Sequence, residues 1–118
     1  MDVTFKISGI RNSKGAICGL AFTEDNGGFP DGVHKAYAQA MVDAQKGSVL
    51  ITFKGLKVKK AAFVFFHDEK RIGRVEKGFL GIPKQGITAS NWNGRSRPRY
   101  SSSLIALKPM LEAKLKYF

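Results

Sequence analysis

Apolar and polar residues alternate along most of this chain with a period of two. Val3, Phe5 and Ile7 are interleaved with Asp2, Thr4, Lys6 and Ser8, which predicts a strand with one buried and one wet face. Gly9 and the turn-rich "RNSKG" at 11–15 end it, and "AICGLAFTE" at 16–24 predicts the returning strand. "DNGGFPDG" at 25–32 reads as loop, because glycine tolerates positive φ, Pro30 lacks an amide donor and Asn or Asp side chains bond their own backbone. The alanines of "HKAYAQAMVDA" would suit a helix, yet Ala38, Ala40, Val42 and Ala44 recur at every second position. Residues 37–44 are therefore assigned to a strand, joined by a tight "QKG" to "SVLITFKG", in which Val49, Ile51 and Phe53 continue the alternation. "AAFVFF" at 61–66 is apolar on both sides, the mark of a strand covered on both faces.

From His67 to about Ser102 no period persists, and then "LIALK" at 104–108 and "MLEAKLKYF" after Pro109 predict a closing pair of strands. About seven strands, frequent turn signals and no long helix predict an all-β fold, a single antiparallel β-sandwich domain over 1–118 with one long loop at 67–102. A connection of that length in a compact domain is functional or hides further elements. Within it, "KGFLGIP" is apolar enough to pack back onto the sandwich. If successive strands run antiparallel, residues 10–15, the turn at 45–47, the long loop and the C-terminus share one end. That end would gather cations from Arg11, Lys14 and Lys46 to Arg95, Arg97 and Arg99. Loop ends of rigid sandwiches are where binding residues sit.

Composition narrows the setting. The 118 residues, 43% of them apolar, suffice for one core that removes roughly two-thirds of the unfolded surface from water. No run approaches the length of a membrane-spanning helix, and the alternation starting at Val3 leaves no room for a signal peptide, so the expectation is a cytoplasmic protein or one whose leader has been removed. The single cysteine, Cys18, has no internal disulfide partner and lies in an apolar alternating stretch, which predicts a buried thiol. Net charge is +11, and residues 54–118 carry all of the excess, with fifteen basic and four acidic side chains. Such a lopsided field favours anionic partners, although a high isoelectric point also serves plain solubility.

Two stretches could carry chemistry. His67 and Asp68 end the most apolar strand, but neighbouring side chains on a strand point to opposite faces, so a direct His–Asp pair would require a turn starting at 67. No nucleophile-elbow signature accompanies them. His34 has no Cys or His neighbour in sequence, which leaves a zinc site without support. "NWNGRSRPRY" at 91–100 is the stronger signal. It joins Asn91, the only Trp (Trp92), Arg95, Arg97 and Arg99 at alternate positions, Pro98 and Tyr100, with no acid. Guanidinium forks match phosphate or carboxylate oxygens, and Trp92 and Tyr100 offer flat apolar surfaces for stacking. The alternative is that Trp92 folds back beneath the loop and the arginines are merely solvated.

"FHDEKRIGRVEKGFLGIPKQG" at 66–86, with "GIRNSKGAICGLAFTEDNGGFP" upstream and "SNWN" downstream, resembles the bacterial family catalogued as domain of unknown function 2141. The resemblance covers nearly the whole chain. It implies a transthyretin- or immunoglobulin-like β-sandwich made with a secretion signal, hence a periplasmic or secreted protein, and it brings no established activity. Relatives commonly continue His-Asp-Glu as an Asn/Gly-rich, calcium-loop-like run. Here Lys70 and Ile72 stand at the third and fifth positions counted from Asp68. An EF-hand type of loop needs oxygen ligands at both. The expectation is a turn that keeps Gly73 for its backbone conformation, with no metal and no cofactor. Gln85 replaces the family's usual acid after Ile-Pro.

Three functional classes follow. The preferred one is a non-catalytic extracytoplasmic binding module that recognises an anionic polymer, such as a glycan, or a protein surface. Its binding residues would be Lys84, Asn91, Trp92, Arg95, Arg97, Arg99 and Tyr100, with His67 and Asp68 beside them. The alternatives are a nucleic-acid binder, for which no recognised motif is visible, and a hydrolase-like enzyme centred on His67 and Asp68.

Overall fold

The computed structural model describes residues 1–77 and 83–118. Eight strands run through them: β1 (Val3–Ile10), β2 (Ala16–Phe22), β3 (Ala38–Asp43), β4 (Gly47–Phe53), β5 (Lys60–Asp68), β6 (Ile87–Ala89), β7 (Leu104–Ala106) and β8 (Met110–Lys114). They form two sheets, β4-β1-β8 and β3-β2-β5-β6, with β7 also paired to β5. The chain is therefore an all-β sandwich, with eight strands where the alternation counts about seven.

The inward residues of β1 and β4, with those of β2 and β5, make the core between the sheets. Phe5 meets Phe63 and Phe65 at centroid distances of 4.8 and 4.7 Å. Gly19 of β2 makes room for these rings, since a Cβ there would lie 2.8 Å from atoms of both Phe53 and Phe65. Full burial of each such side chain stabilises the fold by about 1.5–3 kcal/mol.

A second apolar cluster lies on the outer face of the larger sheet. Cys18, Leu20 and Phe22 of β2 join Val64 and Phe66 of β5, and Ile87 of β6 completes their surface. Phe29, Val33, Val75, Trp92 and Tyr100 cover it from the loops. The two-sided apolar run at 61–66 has this cause: one face belongs to the sandwich core, the other to a roof of loops.

Three expectations are corrected. β5 continues through Asp68, and the stretch read as one loop over 67–102 is interrupted by β6 and by a four-residue helix, α1 (Tyr100–Ser103). The last two strands are not a pair, because β7 pairs with β5 whereas β8 runs parallel to β1, from Thr4 opposite Met110 to Ser8 opposite Lys114. The cause is direction. β7 runs antiparallel to β5 and so ends where β1 begins; the Thr4 N–H bonds the Pro109 carbonyl there at 2.9 Å, and the chain turns back alongside β1.

The third correction concerns the shared loop end. Residues 11–15, 43–46 and 67–71 do meet, through Ala44 N–H to the Gly15 carbonyl at 3.0 Å, Lys46 N–H to Ser13 Oγ at 2.9 Å and Asn12 Nδ2 to Glu69 Oε2 at 2.6 Å. The arginine loop bonds none of these turns, although it meets the C-terminal segment, also expected at that end, through Lys116 Nζ to the Gly94 carbonyl at 2.5 Å. β6 pairs antiparallel with Val64–Phe66 and carries the chain back along β5 before residues 90–103 leave the sheet. The apolar stretch at 79–82, expected to pack onto the sandwich, lies outside the described residues.

Candidate functional site

Residues 90–103 leave β5 and return to it at neighbouring positions. The Ser90 N–H bonds the Phe63 carbonyl, and Leu104 pairs with Ala62. Ser90 Oγ ties this neck, accepting the Phe63 N–H at 2.9 Å and donating to the Ser103 carbonyl. Asn91, at a φ of 52°, adds a bond from Nδ2 to the Ser102 carbonyl at 3.1 Å. Inside the loop, Asn93 Oδ1 accepts the Arg95 N–H at 2.9 Å, and Trp92 Nε1 donates to the Ser96 carbonyl at 2.7 Å. From outside, Lys116 Nζ donates to the Gly94 carbonyl at 2.5 Å. Trp92 is half-buried, with its ring packed on the outer-face cluster.

Arg95, Arg97 and Arg99 are exposed on this braced loop. Asp31, in the β2–β3 connection, lies 3.6 Å from the Arg97 guanidinium and 2.6 Å from Lys77 Nζ, so one carboxylate holds cations from two separate loops. Two recesses flank the segment Ser96–Pro98. One is an apolar cavity of about 480 Å³, with Val64 and Ile87 as its floor, Val75 and Trp92 among its walls and Lys77 and Arg95 at its edge. The other is a more open trough of about 580 Å³ between Arg97, Arg99, Tyr100, Phe29 and Asp25. Burial raises the Tyr100 phenol above its ordinary pKa, with a further push from the charges of Asp25 and Glu24. That hydroxyl is a hydrogen-bonding group in the trough, not an anion.

The remaining predicted site residues lie elsewhere. His67 is buried, its Nε2 donating to the Lys14 carbonyl at 2.7 Å and its Nδ1 paired with the Tyr117 hydroxyl at 2.7 Å. Asp68, also buried, points to the other side of β5 and accepts the N–H groups of Ile72 at 2.9 Å and Gly73 at 2.7 Å. Gly73 has a φ of +79°, so the turn does use its conformational freedom. The two residues neither touch nor line either recess. Lys84 is exposed and lines neither recess.

Sequence reasoning missed several contributors. Val64, Val75 and Ile87 could be suspected only from the two-sided apolarity of β5, whose second face needs a cover. Gln85 is buried, accepts the Glu76 N–H at 2.7 Å and donates to the Arg74 carbonyl at 3.2 Å. A carboxylate could accept there but not donate, so the amide suits this chain's turn. Lys54, Lys57, Lys59, Lys60 and Lys108 gather at the end of the sandwich away from the turns at 11–15 and 67–71, where the Leu107 N–H bonds the Lys59 carbonyl at 3.1 Å.

Among the described residues no group of three or more His, Cys, Asp or Glu is placed to hold a metal ion, and no helix is long and apolar enough to cross a membrane. A family model with the description "Uncharacterized protein conserved in bacteria (DUF2141)" matches residues 5–112, a span that takes in the arginine loop and both faces of β5. No curated protein and no solved structure matches the chain.

Proposed function

The chain belongs to the bacterial DUF2141 family, and from that premise we propose that it is a non-catalytic, extracytoplasmic binding module that recognises an anionic polymer through its arginine loop. The observation that carries this reading is the loop's construction. Arg95, Arg97 and Arg99 project from a segment closed at its neck by Ser90 and Asn91 and braced inside by Asn93 and Trp92. A loop already ordered loses less freedom on binding than a floppy one, so more of each arginine–anion contact is realised as affinity. The trough between Arg97 and Arg99 gives a polar, elongated partner a path along the surface. The extracytoplasmic setting is part of the proposal and rests on the expectation, drawn from the resemblance alone, that the family is made with secretion signals. The burial of His67 with both ring nitrogens engaged supports a binding role over catalysis centred on that residue.

Heparin is a suitable probe polymer. Replacing Arg95, Arg97 and Arg99 together with serine should weaken heparin binding at least tenfold, or about 1.4 kcal/mol, while leaving the fold intact. The matched control replaces Lys57, Lys59 and Lys60, which line neither recess. Equal losses in the two variants would mean that net charge alone governs binding, and the loop reading would fail.

A further inference from the structure

We propose that the cavity beneath the arginine loop binds a small amphiphilic anion of the long-chain carboxylate class, a ligand distinct from the polymer; this rests on reading the loop as a binding element. A polar polymer has no use for the surface that this recess offers. Its floor is Val64 and Ile87, 2% and 6% exposed and held in paired strands. Its volume of about 480 Å³ falls within the roughly 300–1,000 Å³ of small-molecule sites, which are mostly apolar with a few placed polar groups.

The edge supplies those groups, and their sign selects the ligand. Lys77, Arg95 and Arg97 line the cavity together with one acidic side chain, Asp31. Asp31 holds Lys77 and Arg97 at the opening, whereas Arg95 has no carboxylate within ion-pair distance among the described residues. An apolar body on the floor with one negative head at Arg95 satisfies both halves of the site. A cationic amphiphile of the same body would set its head against the same cations.

Trp92 is the only tryptophan and it lines the cavity, so its fluorescence reports occupancy without a label. The full chain is titrated with dodecanoate below micelle-forming concentrations. The expected result is a saturable change in Trp92 emission at one ligand per chain, at least tenfold weaker with dodecyltrimethylammonium in place of dodecanoate. Arg95→Glu should weaken dodecanoate at least tenfold. Val75→Glu, which puts a carboxylate into the wall, should abolish the signal; thermal melts of both variants verify that they fold. An unchanged spectrum with dodecanoate, or equal affinity for the cationic amphiphile, overturns the inference. Heparin binding without dodecanoate binding sinks this inference and leaves the polymer reading standing. Dodecanoate binding without heparin binding does the reverse.

Discussion

The Tyr117 hydroxyl sits 2.7 Å from Nδ1 of His67, and the same oxygen accepts the Arg11 N–H at 3.1 Å. One phenol therefore fastens the C-terminal segment to the end of β5 and to the turn after β1. Arg11 also lies over the Tyr117 ring, 4.5 Å from its centroid. Tyr117→Phe keeps the ring and removes the hydroxyl, leaving a buried ring nitrogen without its partner. The expected loss is about 1–3 kcal/mol in urea unfolding, with an unchanged dependence on denaturant. A variant as stable as the parent would show that His67 is held by something other than this bond.

At the opposite face of β5, both Asp68 carboxylate oxygens are taken by backbone donors at 2.9 and 2.7 Å. A metal would have to displace those bonds beside Lys70. Millimolar calcium is therefore expected to leave the thermal midpoint unchanged, since a tight ligand at a hundred times its dissociation constant would add about 2.7 kcal/mol. Asp68→Ala should cost about 1–3 kcal/mol through the two orphaned N–H groups. A calcium-dependent rise in midpoint would restore the metal reading of this turn.

Much of the sandwich was legible because its strands obey a local rule. Val3, Phe5 and Ile7 had to face inward together whatever they touched, and the two-sided run at 61–66 announced a second buried face. What was not legible depends on partners far along the chain. The three residues of β6 are too few to show a period, yet their pairing with Val64–Phe66 moves the arginine loop away from the turns at 11–15, 43–46 and 67–71. The parallel course of β8 follows from where β7 ends. Likewise, "NWNGRSRPRY" identified the loop by composition, whereas the cavity under it needed Val75 and Ile87, single apolar residues in stretches without pattern.

Burial pushes the Cys18 thiol up from an ordinary 9.0 to about 11, aided by the charge of Asp68 and opposed by that of Arg71. Between pH 9 and 11 the unfolded thiol ionises while the folded one keeps its proton, so unfolding releases a proton and stability falls as pH rises through that window. Below it the thiol contributes no pH dependence. Cys18→Ala removes the titrating group, so its unfolding midpoint should decline less than the parent's over this range. An aromatic disulfide reagent at pH 8 should react slowly with the native protein and rapidly in denaturant. Prompt labelling of the native chain would contradict the burial of this thiol.

Trp92 decides whether the arginine loop works as a rigid unit. Its ring packs on the outer-face cluster and its N–H reaches the Ser96 carbonyl at 2.7 Å, so it anchors the loop and walls the cavity at once. Trp92→Ala removes both contributions. Truncating a fully buried aromatic costs about 3–5 kcal/mol, and the partial exposure of Trp92 brings the expectation to about 2 kcal/mol. Heparin affinity should fall with stability, because Arg95 and Arg97 lose the support that orders them. Trp92→Phe keeps an apolar ring against the outer-face cluster and forfeits chiefly the hydrogen bond, for about 1 kcal/mol, with heparin binding largely retained. Chemical unfolding and heparin titration of the two variants read these effects separately. If Trp92→Ala loses heparin but keeps full stability, the ring touches the ligand and anchors nothing. If it loses stability but binds heparin as before, the arginines act as independent surface charges, and the ordered loop is not what confers affinity.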